Sequence, residues 1–420
     1  MILTFFFILL FTSFSAYAYI DPATGSAFFS VFMGIISFFI CGFYFLVDRF
    51  FLVPALFRKK IQSVDIILYS EGKKYWRLFQ PILAELDKRG IKAVFYTSSL
   101  DDGCFNQTYQ HIKCQYIGEG NKAYAKLAFV RAKIVVMTTP GLNVYQLKKS
   151  KYVNRYVHIY HALADCCSYR LFGTDYYDTL LIANHENMKY VRDIEAKRHL
   201  PAKELVVVGE VWLDQLKEQI DSFPMVQSDK KTVLLAPTWG KESLLTKFEN
   251  QIIDILLQAD YTVIIRPHPQ MKTDNPALLS VLENRYKDNL NVIWDYRVSA
   301  VESMVQSTVL VSDFSGIIFE YAFLLHKPVF IVNKNLNLEQ YDASDLSYLT
   351  WRYTAWEKIG QCLADDEINR LPNMIEQVIK QQHITQQIIE TSNLYWEEQG
   401  CATHNIVNYL ENKLRDITAC

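Results

Sequence analysis

The 420-residue chain lacks most of the features that would assign it to a simple class. Its charge is nearly balanced, 43 Lys and Arg against 45 Asp and Glu, and no arginine-rich groove or zinc spacing appears, so nothing argues for nucleic acid. Its eight cysteines include no C-x-x-C pair, and Cys166 and Cys167 are adjacent, a poor geometry for bridging. That pattern excludes a disulfide scaffold and fits inert thiols in a reducing compartment. No G-x-G-x-x-G follows the first strand-like segment, which leaves a nicotinamide cofactor without support. No D-x-D pair stands on a loop to hold a metal diphosphate, since Asp101-Asp102 before Gly103 reads as a solvated turn. Neither metal nor cofactor is expected, and positive charge at a phosphate site must then come from protein groups.

What is present begins with an apolar N-terminus. Met1 to Ala18 ends in Ala16-Tyr17-Ala18, the small-x-small pattern of a signal-peptidase site, although a basic leader is missing. Ala27 to Val47 carries no charge and as a helix reaches roughly 30 Å, the thickness of a bilayer core. Arg49, Arg58, Lys59 and Lys60 follow, and basic flanks stay on the cytoplasmic side. A cleaved signal with one span and an uncleaved hairpin of two both place the rest of the chain in the cytoplasm, at the inner or cytoplasmic membrane. Residues 1–60 are therefore read as a signal-like segment and anchor.

From Val64 the pattern becomes soluble α/β. VDIILYS, KAVFYT, KIVVMTTPG and RYVHIYH read as strands, with an amphipathic helix over Lys73 to Arg89 after the first. Ile220 to Lys230 is polar and holds a proline, the mark of a linker between domains at 61–219 and 231–420. A second series starts at Thr232 with TVLLAPTWG, YTVIIRPHP and NVIWDY, and a late helix near Ala402 to Arg415 has the length to pack back on the first domain. Two Rossmann-like halves without a dinucleotide fingerprint predict a GT-B type α/β architecture, with the active site in the cleft between an acceptor half and a nucleotide-donor half.

The second series is organised around Thr308 to Val332, TVLVSDFSGIIFEYAFLLHKPVFIV, a strand–turn–helix–strand unit. Its turn combines free backbone N–H groups, the positive end of a helix dipole, the hydroxyls of Ser312 and Ser315 and the small Gly316, and so suits a phosphate. Asp313 reads as a cap or an ordering group within that turn. Glu320, about two turns into the helix, reads as a ribose or hydroxyl ligand or as a core-edge ion pair. Arg266 and His268 in RPHP form the sharper set: the prolines fix the loop, a guanidinium suits diphosphate oxygens, and an imidazole can donate to a departing phosphate. Thr238 in APTW offers a hydroxyl and an N–H at a neighbouring strand end. In the first half His161, at the end of IYHALAD, is the candidate base, because a neutral imidazole can take a hydroxyl proton there; a hydrogen-bonded core histidine gives the same pattern. His158 lies three residues earlier, where strand pleating would place it on the opposite face.

Together, HAL at 161, GEVWLDQL at 209, APTWG at 236, RPHP at 266 and SDFSGIIFEYAFLLHKPVF at 312 resemble the CDP-glycerol glycerophosphotransferase family of teichoic-acid-type polymer synthesis. The resemblance covers roughly Val64 to Asn333. It implies a GT-B fold with the nucleotide held mainly by the C-terminal half, His161 as the base, His268 as the histidine of an R-x-H-P element, and Ser312 and Ser315 as phosphate holders. The chain departs from the family pattern at Ala162, Glu210-Val211, Gly316 and Glu320. The function implied is a membrane-anchored transferase that moves glycerol phosphate or a related polyol phosphate from a CDP-activated donor to a lipid-linked or polymeric glycan. Two alternatives stay open: a nucleotide-sugar glycosyltransferase or UDP-N-acetylglucosamine 2-epimerase-like enzyme, and a non-catalytic membrane scaffold.

Overall fold

A computed structural model describes residues 63–163, 165–224, 231–313, 315–332 and 338–419, together with Gly34 and Phe39. The signal-like and membrane-span readings of residues 1–60 lie outside the described residues, as does the linker segment 225–230. Among the described residues no helix is long and apolar enough to cross a membrane.

The apolar runs of the first half become β1 (Val64–Ser70), β2 (Ala93–Thr97), β3 (Ile112–Tyr116), β4 (Ala132–Met137), β5 (Val153–Ile159), β6 (Thr179–Ile182) and β7 (Glu204–Val207). They pair in parallel in the order β3-β2-β1-β4-β5-β6-β7. The second half supplies β8 (Thr232–Ala236), β9 (Thr262–Ile265), β10 (Val292–Trp294), β11 (Val309–Ser312), β12 (Val329–Val332) and β13 (Gly360–Leu363). These form a second parallel sheet, β10-β9-β8-β11-β12-β13. In each sheet the first strand lies beside the fourth, the point where the winding reverses and ligands bind beyond the strand ends.

Parallel strands covered on both faces need apolar side chains at every position. In β1 Ile66 and Leu68 enter one core and Ile67 and Tyr69 the other, as the pleat requires. Helices α1 (Trp76–Lys88), α2 (Glu186–Arg198), α3 (Val211–Ser222) and α4 (Ile317–Leu325) follow β1, β6, β7 and β11, and α5 (Ala402–Ala419) comes last. Although it follows the second sheet in sequence, α5 packs on α1 and β4, and its Ile406, Val407 and Leu410 complete the core under Ile66 and Leu68.

The chain therefore passes from the second sheet back to the first, and GEVWLDQL receives it. Gly209, at φ +91°, admits the crossing backbone: a Cβ there would lie 3.0 Å from the carbonyl oxygens of Glu397 and Glu398. The Asp214 carboxylate then accepts the N–H groups of Gly400 (2.8 Å) and Ala402 (3.0 Å). A second tie joins the segment near Asp342 to the one after Cys166. Asp342 N–H donates to Tyr169 O at 2.8 Å and Leu171 N–H to Gln340 O at 3.0 Å. Beside them the nearly buried Arg198 meets Asp175 (2.6 Å), Asp342 (2.7 Å) and Asp345 (2.6 Å).

Candidate active site

At the switch point of the second sheet the strand ends enclose a cavity of about 440 Å³. Ala236 and Pro237 border it after β8, Arg266 to Pro269 after β9, Asp295 to Val298 after β10, and Ser315 and Gly316 after β11. The first-turn N–H groups of α4 have no intrahelical acceptors, so Ser315 and Gly316 present an anion-seeking helix terminus to this space.

The residues of that turn divide their work. Ser312 is buried, with its hydroxyl donating to Ala236 O at 2.5 Å, so it binds β11 to β8 and does not border the cavity. This differs from the expectation that both serines meet phosphate. The last residue of a fully paired central strand has a backbone carbonyl beside it, and that carbonyl accepts the hydroxyl's hydrogen bond. Asp313, also buried, accepts the N–H groups of Thr238 (2.9 Å) and Leu244 (2.9 Å). Burial pushes its carboxyl up to about 6, against the pull of those two donors. It orders the APTWG loop, and Pro237 rather than Thr238 borders the cavity.

The R-P-H-P loop brings Arg266 and His268 to the same wall. Arg266 donates to Asp295 at 2.8 Å and to Val298 O at 3.2 Å. Burial alone would raise the Asp295 carboxyl, but hydrogen bonds from Arg297 and Ser303 and the charge of Arg266 hold it at about 2. His268 Nδ1 accepts the N–H of Gln270 at 3.1 Å, which puts the proton of the neutral ring on Nε2. Partial burial lowers its pKa, so near neutral pH the ring is an uncharged N–H donor. Glu320 borders the cavity as well, where it accepts the indole N–H of Trp212 at 2.8 Å.

In the first half β5 ends at Ile159, so pleat alternation no longer governs His161. Its Nδ1 and the Nε2 of His158 converge on one hydroxyl, Tyr169 Oη, at 3.4 and 3.2 Å. The expected placement on opposite faces fails for that reason. Burial, and secondarily Lys74, depress the His161 pKa to about 4, which leaves its imidazole neutral near physiological pH. Tyr75 meets its ring edge-on at 5.1 Å. A second cavity, of about 430 Å³, opens beside this region and is bordered by hydroxyl groups of Tyr69, Ser98, Ser99 and Tyr124 with Glu71 and Lys74.

Sequence reading missed Arg77, Trp212, Lys272 and Arg297 at the first cavity and Glu210 beside it. KKYWR, a basic–aromatic turn just beyond the end of β1, was the available signal, since such strand ends are where these sheets bind ligands. Glu210 is buried, and burial pushes its carboxyl up to about 8. Among the described residues no group of three or more His, Cys, Asp or Glu side chains is placed to hold a metal ion.

Two doubly wound sheets, with an anion-seeking cavity at the switch point of the second, make a GT-B-like α/β fold. The chain belongs to the CDP-glycerol:poly(glycerophosphate) glycerophosphotransferase family, whose model matches residues 55–411. It is an enzyme family, and its transfer chemistry is of the teichoic-acid type. The fold is shared with the wall teichoic acid polymerase TagF, at TM-score 0.53 and 17% identity over 84% of this chain and 89% of that one. It is shared also with the UDP-GlcNAc 2-epimerase of Methanocaldococcus jannaschii in complex with UDP-GlcNAc and UDP, at TM-score 0.54 and 15% identity over 84% and 100%. S. aureus MnaA with UDP aligns at TM-score 0.56 and 15% identity over 85% and 98%. No curated protein matches the chain.

Proposed function

We propose that this protein transfers glycerol phosphate, or a related polyol phosphate, from a CDP-activated donor to a hydroxyl of a teichoic-acid-like or lipid-linked glycan acceptor. The observation that carries the reading is the cavity of about 440 Å³ at the β8/β11 switch point, which a helix N-terminus, Arg266 and His268 border together. The family description, with its CDP-glycerol, supports the donor class.

In this reading the diphosphate lies against Ser315, Gly316, Arg266 and His268. The acceptor oxygen forms a bond to the distal phosphorus, and the bond from that phosphorus to the oxygen bridging to the CMP phosphate breaks. The electron pair stays on CMP, where His268 and Arg266 meet the growing charge. The acceptor proton goes to His161 Nε2, which is neutral across the physiological range because its pKa lies near 4. Apolar residues 27–47 with a basic flank would anchor the enzyme beside a membrane-bound acceptor, with residues from Gln62 onward in the cytoplasm.

Calorimetric titration of the full chain in detergent with CDP, CMP, UDP and UMP tests the donor class. Saturable binding of the cytidine nucleotides, weakened in His268→Ala and Ser315→Ala, is expected. Preference for uridine would transfer the protein to the sugar-nucleotide enzymes, and absence of binding would make it a scaffold. Release from membranes by alkaline extraction would sink the anchor.

A further inference from the structure

The cavity of the second sheet has one wall that belongs to the first. Arg77, in the opening turn of α1, borders the space that Arg266, His268 and Gly316 enclose. Its guanidinium lies over the Trp212 ring, 5.6 Å from the centroid, and among the described residues it forms no ion pair. The two carboxylates and the other two guanidinium groups of the cavity have partners, whereas Lys272, of the second half, meets the face of Tyr296, 3.9 Å from the ring centroid. Asp295 is held by Arg266 and Arg297, and Glu320 by the Trp212 indole. Among the described residues Arg77 is thus a half-buried cation that the face of an indole orients and whose N–H donors meet no hydrogen-bond acceptor.

Its neighbours in sequence give the position meaning. Lys74 borders the hydroxyl-lined cavity, Tyr75 meets the ring of His161, and Arg77 reaches the phosphate-seeking cavity. One turn of chain beyond β1 therefore touches all three regions that a transfer between the halves must join. Four guanidinium or ammonium groups border the first cavity against two carboxylates, a positive excess that a diphosphate diester would neutralise.

We propose that Arg77 is the first half's ligand for the phosphoryl group in transit: it binds the distal phosphate of a CDP-linked polyol while Arg266 and His268 hold the departing CMP. The inference rests on the donor reading above. Approached by the acceptor oxygen, the distal phosphorus spreads charge over its equatorial oxygens, and a guanidinium fixed on an indole meets that charge without reorganising. CMP, which lacks the distal phosphate, has no need of Arg77.

The test compares wild type with Arg77→Met and Arg77→Lys in the full chain. It measures CMP release from CDP-glycerol with a poly(glycerol phosphate) acceptor and, separately, CMP binding by calorimetry. Arg77→Met should lower kcat about a hundredfold with CMP affinity and Tm unchanged, and Arg77→Lys should restore part of the rate. Arg77→Gln serves if the methionine variant does not fold. Turnover within threefold of wild type, or an equal loss of CMP affinity and rate with a lowered Tm, would overturn the assignment and leave Arg77 a packing residue. Failure of the wild type to release CMP from CDP-glycerol would overturn the donor reading and this inference with it. Normal wild-type turnover with an unaffected Arg77→Met overturns the inference alone.

Discussion

The two halves of this protein wind their first six strands in the same order yet end those strands in different chemistry. Beyond the second sheet stand guanidinium groups, an N–H-donating imidazole and a helix terminus. Beyond the first stand hydroxyls and two neutral imidazoles that share one tyrosine. Topology fixes where a ligand goes, and the loop residues fix what it is. In the proposed function one half takes an anion that arrives already activated, and the other a hydroxyl that must lose a proton.

The contrast can be broken at several points. The largest effect is expected on the hydroxyl side. His161→Ala should lower turnover about a thousandfold while cytidine nucleotide binding, which the proposed function assigns to the other half, stays intact. Joint loss of both would show that the halves do not divide the work. In wild type kcat/KM should stay level as pH falls through 6.5 and decline only toward about 4. An acid limb at 6.5 would place His161 in water.

Next comes the tie that holds the halves in register. Arg198→Ala leaves Asp342 buried without its guanidinium, on a carboxyl that burial has already raised to about 6. Chemical denaturation should report a loss of about 3 kcal/mol, and turnover should fall further than CMP binding because only turnover needs both halves aligned. A stability unchanged within 0.5 kcal/mol, the ordinary range of an exposed substitution, would dismiss the tie.

The smallest expected effect is a slope. The folded-state pKa of Glu210 is raised from 4.5 to about 8, so its stabilising proton is fully bound below pH 4.5 and is lost as pH rises toward 8. Glu210→Gln keeps an oxygen for the Trp212 N–H and has no proton to lose. Its Tm relative to wild type should therefore climb between about pH 4.5 and 8. A difference that does not vary with pH would mean that Glu210 is ionised in the folded protein.

The sequence by itself determined much of this protein. Unbroken apolar strands dictated parallel sheets, and the polar ends of TVLLAPTWG, YTVIIRPHP and TVLVSDFSG marked one ligand-binding edge, because strand length and turn chemistry are local properties. That Arg266, His268, Ser315 and Gly316 would meet at that edge was legible for the same reason. What the sequence did not settle was which polar atoms are already spent. Ser312 looked like a ligand until the β8 backbone was set beside it, and His158 looked remote until the chain turned after Ile159. Arg77 and Trp212 carried no motif, since their meaning lies in a contact between residues 135 positions apart in sequence and in the other half's cavity that both border. Hydrogen-bond partners and burial belong to tertiary structure, and they decided whether each polar side chain holds the fold or remains available to a substrate.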